Sequence, residues 1–137
     1  MDPLDFLKVS DKLKNSAQEA DRRTAVSRAY YSVYHCIRDY LVANRIISTK
    51  YHLAHEKLVT YLKYSGIEKV KELSQRVDEL KTDRQEADYN MNSTRFNENT
   101  CILLFCKAKD TIQEFQNYKG RPLIEGINKY KQLINEP

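Results

Sequence analysis

The residues of this chain best suited to chemistry are Arg28, Ser32, His35 and Asp39, which fall in an uninterrupted run, residues 22–45, free of Gly and Pro. On a helix of 3.6 residues per turn they lie at relative angles of about 0°, 40°, 340° and 20°, so they form one narrow polar stripe. Tyr31 and Arg38 flank it. An arginine beside a histidine can hold an anion while the imidazole moves a proton near neutral pH. The same stripe can also be a polar surface facing solvent or a second subunit, and both readings stay open.

A second arginine is marked by its place. Ile67, Val70, Leu73, Val77, Leu80, Arg84, Ala87 and Met91 step by three and four, a heptad-like seam. Arg84 therefore sits on a stripe that is otherwise apolar. A desolvated guanidinium costs several kcal/mol unless it is compensated, so Arg84 must meet a carboxylate, a water-filled cleft or an anionic ligand. Asp88, one turn on, can satisfy it as a structural bridge.

Helices must position these groups. In the run 22–45, Val26, Ala29, Tyr30, Val33, Ile37, Tyr40 and Leu41 share a wide apolar face. Ahead of it, Asp2-Pro3 predicts a helix start with Asp as N-cap and Pro at the first position. Leu4, Phe6, Leu7, Val9 and Leu13 are that helix's apolar residues. A loop at 46–50 leads to a third helix over roughly 51–64, with Leu53, Leu58, Tyr61 and Leu62 inward and Gly66 as its stop. His52 and His55, at its start, read as exposed helix-terminal residues. A fourth helix covers about 67–89, and Asn90 to Asn99 is a loop able to cap the next helix. That fifth helix covers about 97–118, densely apolar through CILLFC. After Gly120-Arg121-Pro122, the residues Leu123, Ile124, Ile127, Tyr130 and Ile134 outline a terminal helix that packs across the bundle or onto a second subunit. The expected fold is all-α: an up-and-down antiparallel bundle of about five helices plus a short C-terminal one. Length predicts a single domain, 1–137, with its core at 3–118 and a helical extension at 122–135.

Composition narrows the function without choosing it. A formal charge of +4 with 31% charged residues tolerates a polyanion but does not demand one, since Lys and Arg alternate with Asp and Glu. Ten Tyr and no Trp suit helix seams or a dimer surface, with rings buried and hydroxyls wet. Three Cys, no signal peptide and no apolar run of transmembrane length point to the cytoplasm rather than a membrane. Cys101 and Cys106 with His52 and His55 lack the short Cys-x-x-Cys spacing of a zinc site, and the cysteines read as small buried residues. No metal or other cofactor is expected, and there is no phosphate-binding Gly loop or nucleophile motif.

The string AVSRAYYSVYH, from Ala25 to His35, resembles the second-helix signature of the HEPN (higher eukaryotes and prokaryotes nucleotide-binding) domain. That signature is Ser-Arg-Ala-Tyr-Tyr followed by a His four residues later. Arg84-Gln85-Glu86-Ala87-Asp88-Tyr89 is similar to the Arg-x-x-Ala-Asp-Tyr segment of many members, and the resemblance runs to about residue 118. The family contains RNA-cleaving toxins, nucleotide-binding companions and members with no evident active site. Catalytic members use an Arg-x(4–6)-His motif, paired across a homodimer, to cleave RNA without metal. The Arg holds the developing phosphate charge and the His moves protons.

Arg28 and His35 meet that spacing. Arg84 stands where the motif usually falls, but Tyr89 occupies the His position and Met91 that of the later Tyr. A phenol with a pKa near 10 is a poor proton shuttle. The resemblance thus implies a toxin–antitoxin or defence protein that acts on or binds RNA as a homodimer. Arg84, Arg28 and His35 would act, with Ser32, Asp39, Asp88, Tyr89 and Tyr31 in support. The alternative it implies is a non-cutting companion of a small nucleotidyltransferase, with Tyr89 as a candidate for nucleotidylation. A third is a dimerisation or adaptor unit.

Overall fold

The computed structural model describes residues 1–48 and 55–137. His52 and Leu53 lie outside the described residues. The elements are α1 (Leu4–Leu13), α2 (Glu19–Ala43), α3 (His55–Lys63), α4 (Glu68–Tyr89), α5 (Glu98–Tyr118) and α6 (Arg121–Leu133). The chain is an all-α helical bundle.

Helix α2 is its axis, packed by α1, α4 and α5. The apolar face read from its spacing is the core: Val26, Ala29, Tyr30, Val33, Ile37 and Leu41 are all buried. Each such large side chain contributes roughly 1.5–3 kcal/mol of transfer free energy. Tyr40 stays half-buried, its ring edge-on to Phe115 of α5.

Local signals set the helix ends. The Asp2 carboxylate accepts a hydrogen bond from the Leu4 amide at 2.9 Å, and Asn97 caps α5 by accepting from the Thr100 amide at 2.9 Å. Gly66, at φ 81°, follows α3 in the left-handed conformation that glycine adopts without strain. On α4 the seam is buried at Val70, Leu73, Val77, Leu80 and Ala87. It fails at Met91, which is 71% exposed because the helix ends at Tyr89, so the period no longer fixes its direction. The cysteines also divide: Cys101 is buried, Cys36 half-buried and Cys106 exposed. A five-residue step turns Cys106 well off the face that buries Cys101.

Adjacent arginines at the start of α2 fasten the connections on either side of it. Arg22 donates to the carbonyls of Phe96 (2.9 Å), Ser16 (3.0 Å) and Ala17 (3.2 Å). Arg23 donates to those of Ala87 (3.1 Å), Asn90 (2.7 Å) and Ser93 (2.9 Å), closing the C-terminal end of α4. Helix α6 packs on α3 with Leu123 and Ile127 buried. Its Ile134, expected on the packed face, is 43% exposed beyond the last turn.

Candidate functional site

Tyr31 is the hub of a cluster drawn from four helices. The Arg28 guanidinium, one turn before it on α2, lies 5.5 Å from its ring centroid, and the Arg84 guanidinium of α4 lies 5.2 Å away. Arg84 also reaches within 5.9 Å of the Tyr30 ring. These are cation–π distances, and two positive charges share one phenol.

The compensation of Arg84 is partial. The residue is 9% exposed, and its Nη1 donates to Asp88 Oδ2 at 3.3 Å, a long bond. Ser27 Oγ donates to the same oxygen at 3.4 Å. The Nε of Arg84 is buried with no hydrogen-bond partner among the described residues. Of the anticipated answers to the seam, the Asp88 carboxylate is present, and one donor is left over. Arg28 forms no ion pair among the described residues, and its guanidinium also lies 5.2 Å from the Phe6 ring of α1.

Phe6 changes the meaning of the polar stripe. Its ring stacks on His35 at 5.5 Å and 17°, so α1 covers Arg28 and His35, and both are half-buried. Ser32 is fully buried and its hydroxyl has no partner among the described residues. Only Asp39 is exposed, 3.7 Å from its neighbour Arg38. The stripe is a seam beneath α1 rather than an open surface, because α1 brings its own aromatic ring against it. Tyr89 is 77% exposed at the last residue of α4. It makes none of the ring contacts that join the cluster.

The residue whose surroundings differ most from the sequence reading is His55. It opens α3, but it is half-buried: its Nδ1 shares a hydrogen bond with the Tyr30 hydroxyl, and its ring stacks on Tyr34 at 4.4 Å and 13°. His35 meets the same Tyr34 ring at 5.1 Å and 69°. Burial lowers the pKa of His55, reinforced by the charges of Arg84 and Lys81 and opposed by Glu56. Burial also lowers that of His35, opposed by Asp39 and reinforced by Arg38 and Arg28. Both imidazoles are therefore neutral near pH 7. Burial raises the pKa of Tyr30, which remains a phenol. The available signal was Tyr30 and Tyr34, one turn apart on an apolar face, which leaves a slot for a ring from another helix.

Zinc finds no such support. No group of three or more His, Cys, Asp or Glu that could hold a metal exists among the described residues, and His52 lies outside them. No described helix is long and apolar enough to cross a membrane. A cavity of about 520 Å³ at the start of α5 is lined by Arg22, Asn97, Glu98 and Asn99. Three backbone carbonyls already occupy that Arg22 guanidinium.

Two guanidiniums on an aromatic shelf can hold phosphate oxygens and stack bases, and two neutral imidazoles can accept protons. The family model described as HEPN domain matches residues 7–114 of the chain, more than half of it. No curated protein and no solved structure matches. The matched span includes most of α1 to α5 and leaves α6 outside.

Proposed function

Because the chain belongs to the HEPN domain family, and with it to proteins whose function is connected with nucleotides or RNA, we propose that it binds RNA or nucleotide phosphate at the Arg28–Tyr31–Arg84 cluster without cutting it. The observation that carries this reading is the buried, unpartnered Nε of Arg84. Buried polar groups are normally paired, and an N–H left over beside Arg28, which forms no ion pair among the described residues, fits an anion. Tyr89 in place of the motif His, and the pairing of Arg84 with Asp88 inside one subunit, favour a binding role over a nuclease. In this reading the protein works as a homodimer in the cytoplasm. It belongs to a toxin–antitoxin or defence system, as the companion of a small nucleotidyltransferase.

The ribonuclease reading has one specific observation in its favour. His35 and His55 both lie against Tyr34, beside two arginines, and could divide acid and base roles. Fluorescence anisotropy with a labelled, mixed-sequence single-stranded RNA, and gels of the same RNA, separate the two. The expected result is binding without cleavage, weakened at least tenfold by Arg84→Met, as loss of a charge-assisted hydrogen bond of about 1.5–3 kcal/mol requires. Cleavage abolished by His35→Ala or His55→Ala would install the nuclease instead. If neither this RNA nor adenosine monophosphate binds, the proposal is abandoned.

A further inference from the structure

Helix α3 carries His55 into the cluster, yet it packs chiefly on α4 and meets α2 only over a short stretch. Further contacts to α3 come from the part of the chain beyond the family match. The Lys131 ammonium of α6, 7% exposed, donates to the Ile46 carbonyl at 2.6 Å. Three residues past α6, Glu136 pairs with Lys57 and accepts from the Tyr61 hydroxyl at 2.7 Å. Ile46 and Lys57 lie on either side of the stretch leading into α3, so the C-terminal segment fastens the chain both before and within that helix.

The fit is close at the other end of α3 as well. Gly126 of α6 lies so near the Ser65 carbonyl that a methyl group there would overlap it. Tyr130 stacks on Tyr64 at 4.9 Å and 15°, and meets Tyr61 edge-on at 6.4 Å. Buried Leu123 and Ile127 complete the contact.

We infer that α6 and Glu136 form a positioning clamp that holds α3 in the one placement that seats His55 against Tyr30 and Tyr34. Lys131, Glu136 and Gly126 are its positioning residues, none of which touches the arginine cluster. The clamp rests on the cluster's being the binding site only for its effect on ligand. Its effect on His55 is independent of that reading. A side chain at position 126 pushes α6 off Ser65. Loss of the Glu136 bonds frees Lys57 and Tyr61 of α3, and loss of the Lys131 bond frees the Ile46 carbonyl.

The test compares Gly126→Ala, Lys131→Met and Glu136→Gln with the parent chain, by amide hydrogen exchange and by the NMR titration of His55. Expected are exchange in α3 raised at least tenfold while α5 keeps its protection, and a His55 pKa moved up toward its ordinary value. Affinity for the labelled single-stranded RNA should weaken several-fold. Glu136→Gln alters a partly exposed tail residue and keeps the experiment decisive if the two α6 interior variants do not fold. Unchanged α3 exchange and an unchanged His55 titration in Glu136→Gln and Lys131→Met overturn the clamp. If the parent chain binds no RNA, the proposed binding function fails, and the exchange and titration still decide the clamp.

Discussion

Arg23 and Arg84 are buried to nearly the same degree, 8% and 9% exposed, and both lie where α2 and α4 face each other. Their surroundings are opposites. Arg23 spends its guanidinium on three backbone carbonyls, lies 5.1 Å from the Phe96 ring and has Glu19 at 3.8 Å. Arg84 has one long bond to Asp88, two tyrosine rings and an Nε that bonds nothing among the described residues. Burial alone therefore does not tell a structural arginine from a binding one. The use of its donors does: Arg23 bonds three carbonyls with its guanidinium, whereas Arg84 makes one long bond and keeps a buried N–H to offer a ligand.

The largest expected effect tests the more fully bonded member. Arg23→Met removes three charge-assisted bonds and leaves the carbonyls closing α4 without their donor, so it should destabilise by about 3 kcal/mol or more. Urea denaturation measures this. RNA affinity of the folded protein should stay within about twofold, since no freed donor is lost. A folded Arg23→Met that loses RNA while keeping its stability would erase the distinction. The Arg84→Met variant should show the reverse pattern, with affinity lost and stability little changed.

These two arginines also show how far a sequence can be read. Arg84 was conspicuous because a charge interrupted an apolar period, and the period was correct through Ala87. Arg23 gave no signal, since its partners are carbonyls at the end of α4 and in the loop after it, 64 to 70 residues away, and backbone acceptors have no side-chain identity. The helices were legible from spacing and caps. The cover over Arg28 and His35 was not, because helical angle assigns a face without saying which helix lies on it. His55 was misread for a related reason: an early-helix position looks exposed until tertiary packing brings Tyr30 and Tyr34 against it.

The contrast extends to acid. Both His35 and His55 have depressed pKa values in the folded chain, so the unfolded chain binds more protons once pH drops below the ordinary value of about 6.5. Their contribution to stability is therefore complete above that value and is lost as pH falls through it toward the folded pKa values. Glu56, Glu79, Glu86 and Glu136 are also depressed, but by partner hydrogen bonds, so they act in a separate window below their ordinary value near pH 4.5. Urea midpoints should fall between pH 7 and 5, and His35→Gln with His55→Gln should flatten that slope. An Arg23 variant should shift the curve down without changing its shape there. An undiminished slope in the double variant would show that the cluster's histidines are not held neutral.

The smallest expected effect separates an unsatisfied group that serves a ligand from one that is a packing remainder. Ser32 shares the stripe of Arg28 and His35, is fully buried, and its hydroxyl, like the Nε of Arg84, bonds nothing. It differs in having no charge to offer an anion. Ser32→Ala should change stability by no more than about 1 kcal/mol, and in the stabilising direction, since a buried unpaired hydroxyl carries a desolvation penalty that a methyl group does not. RNA affinity should be unchanged. A loss of affinity in Ser32→Ala comparable to that of Arg84→Met would place the hydroxyl among the ligand's contacts. The binding surface would then reach under α1 to the buried side of α2.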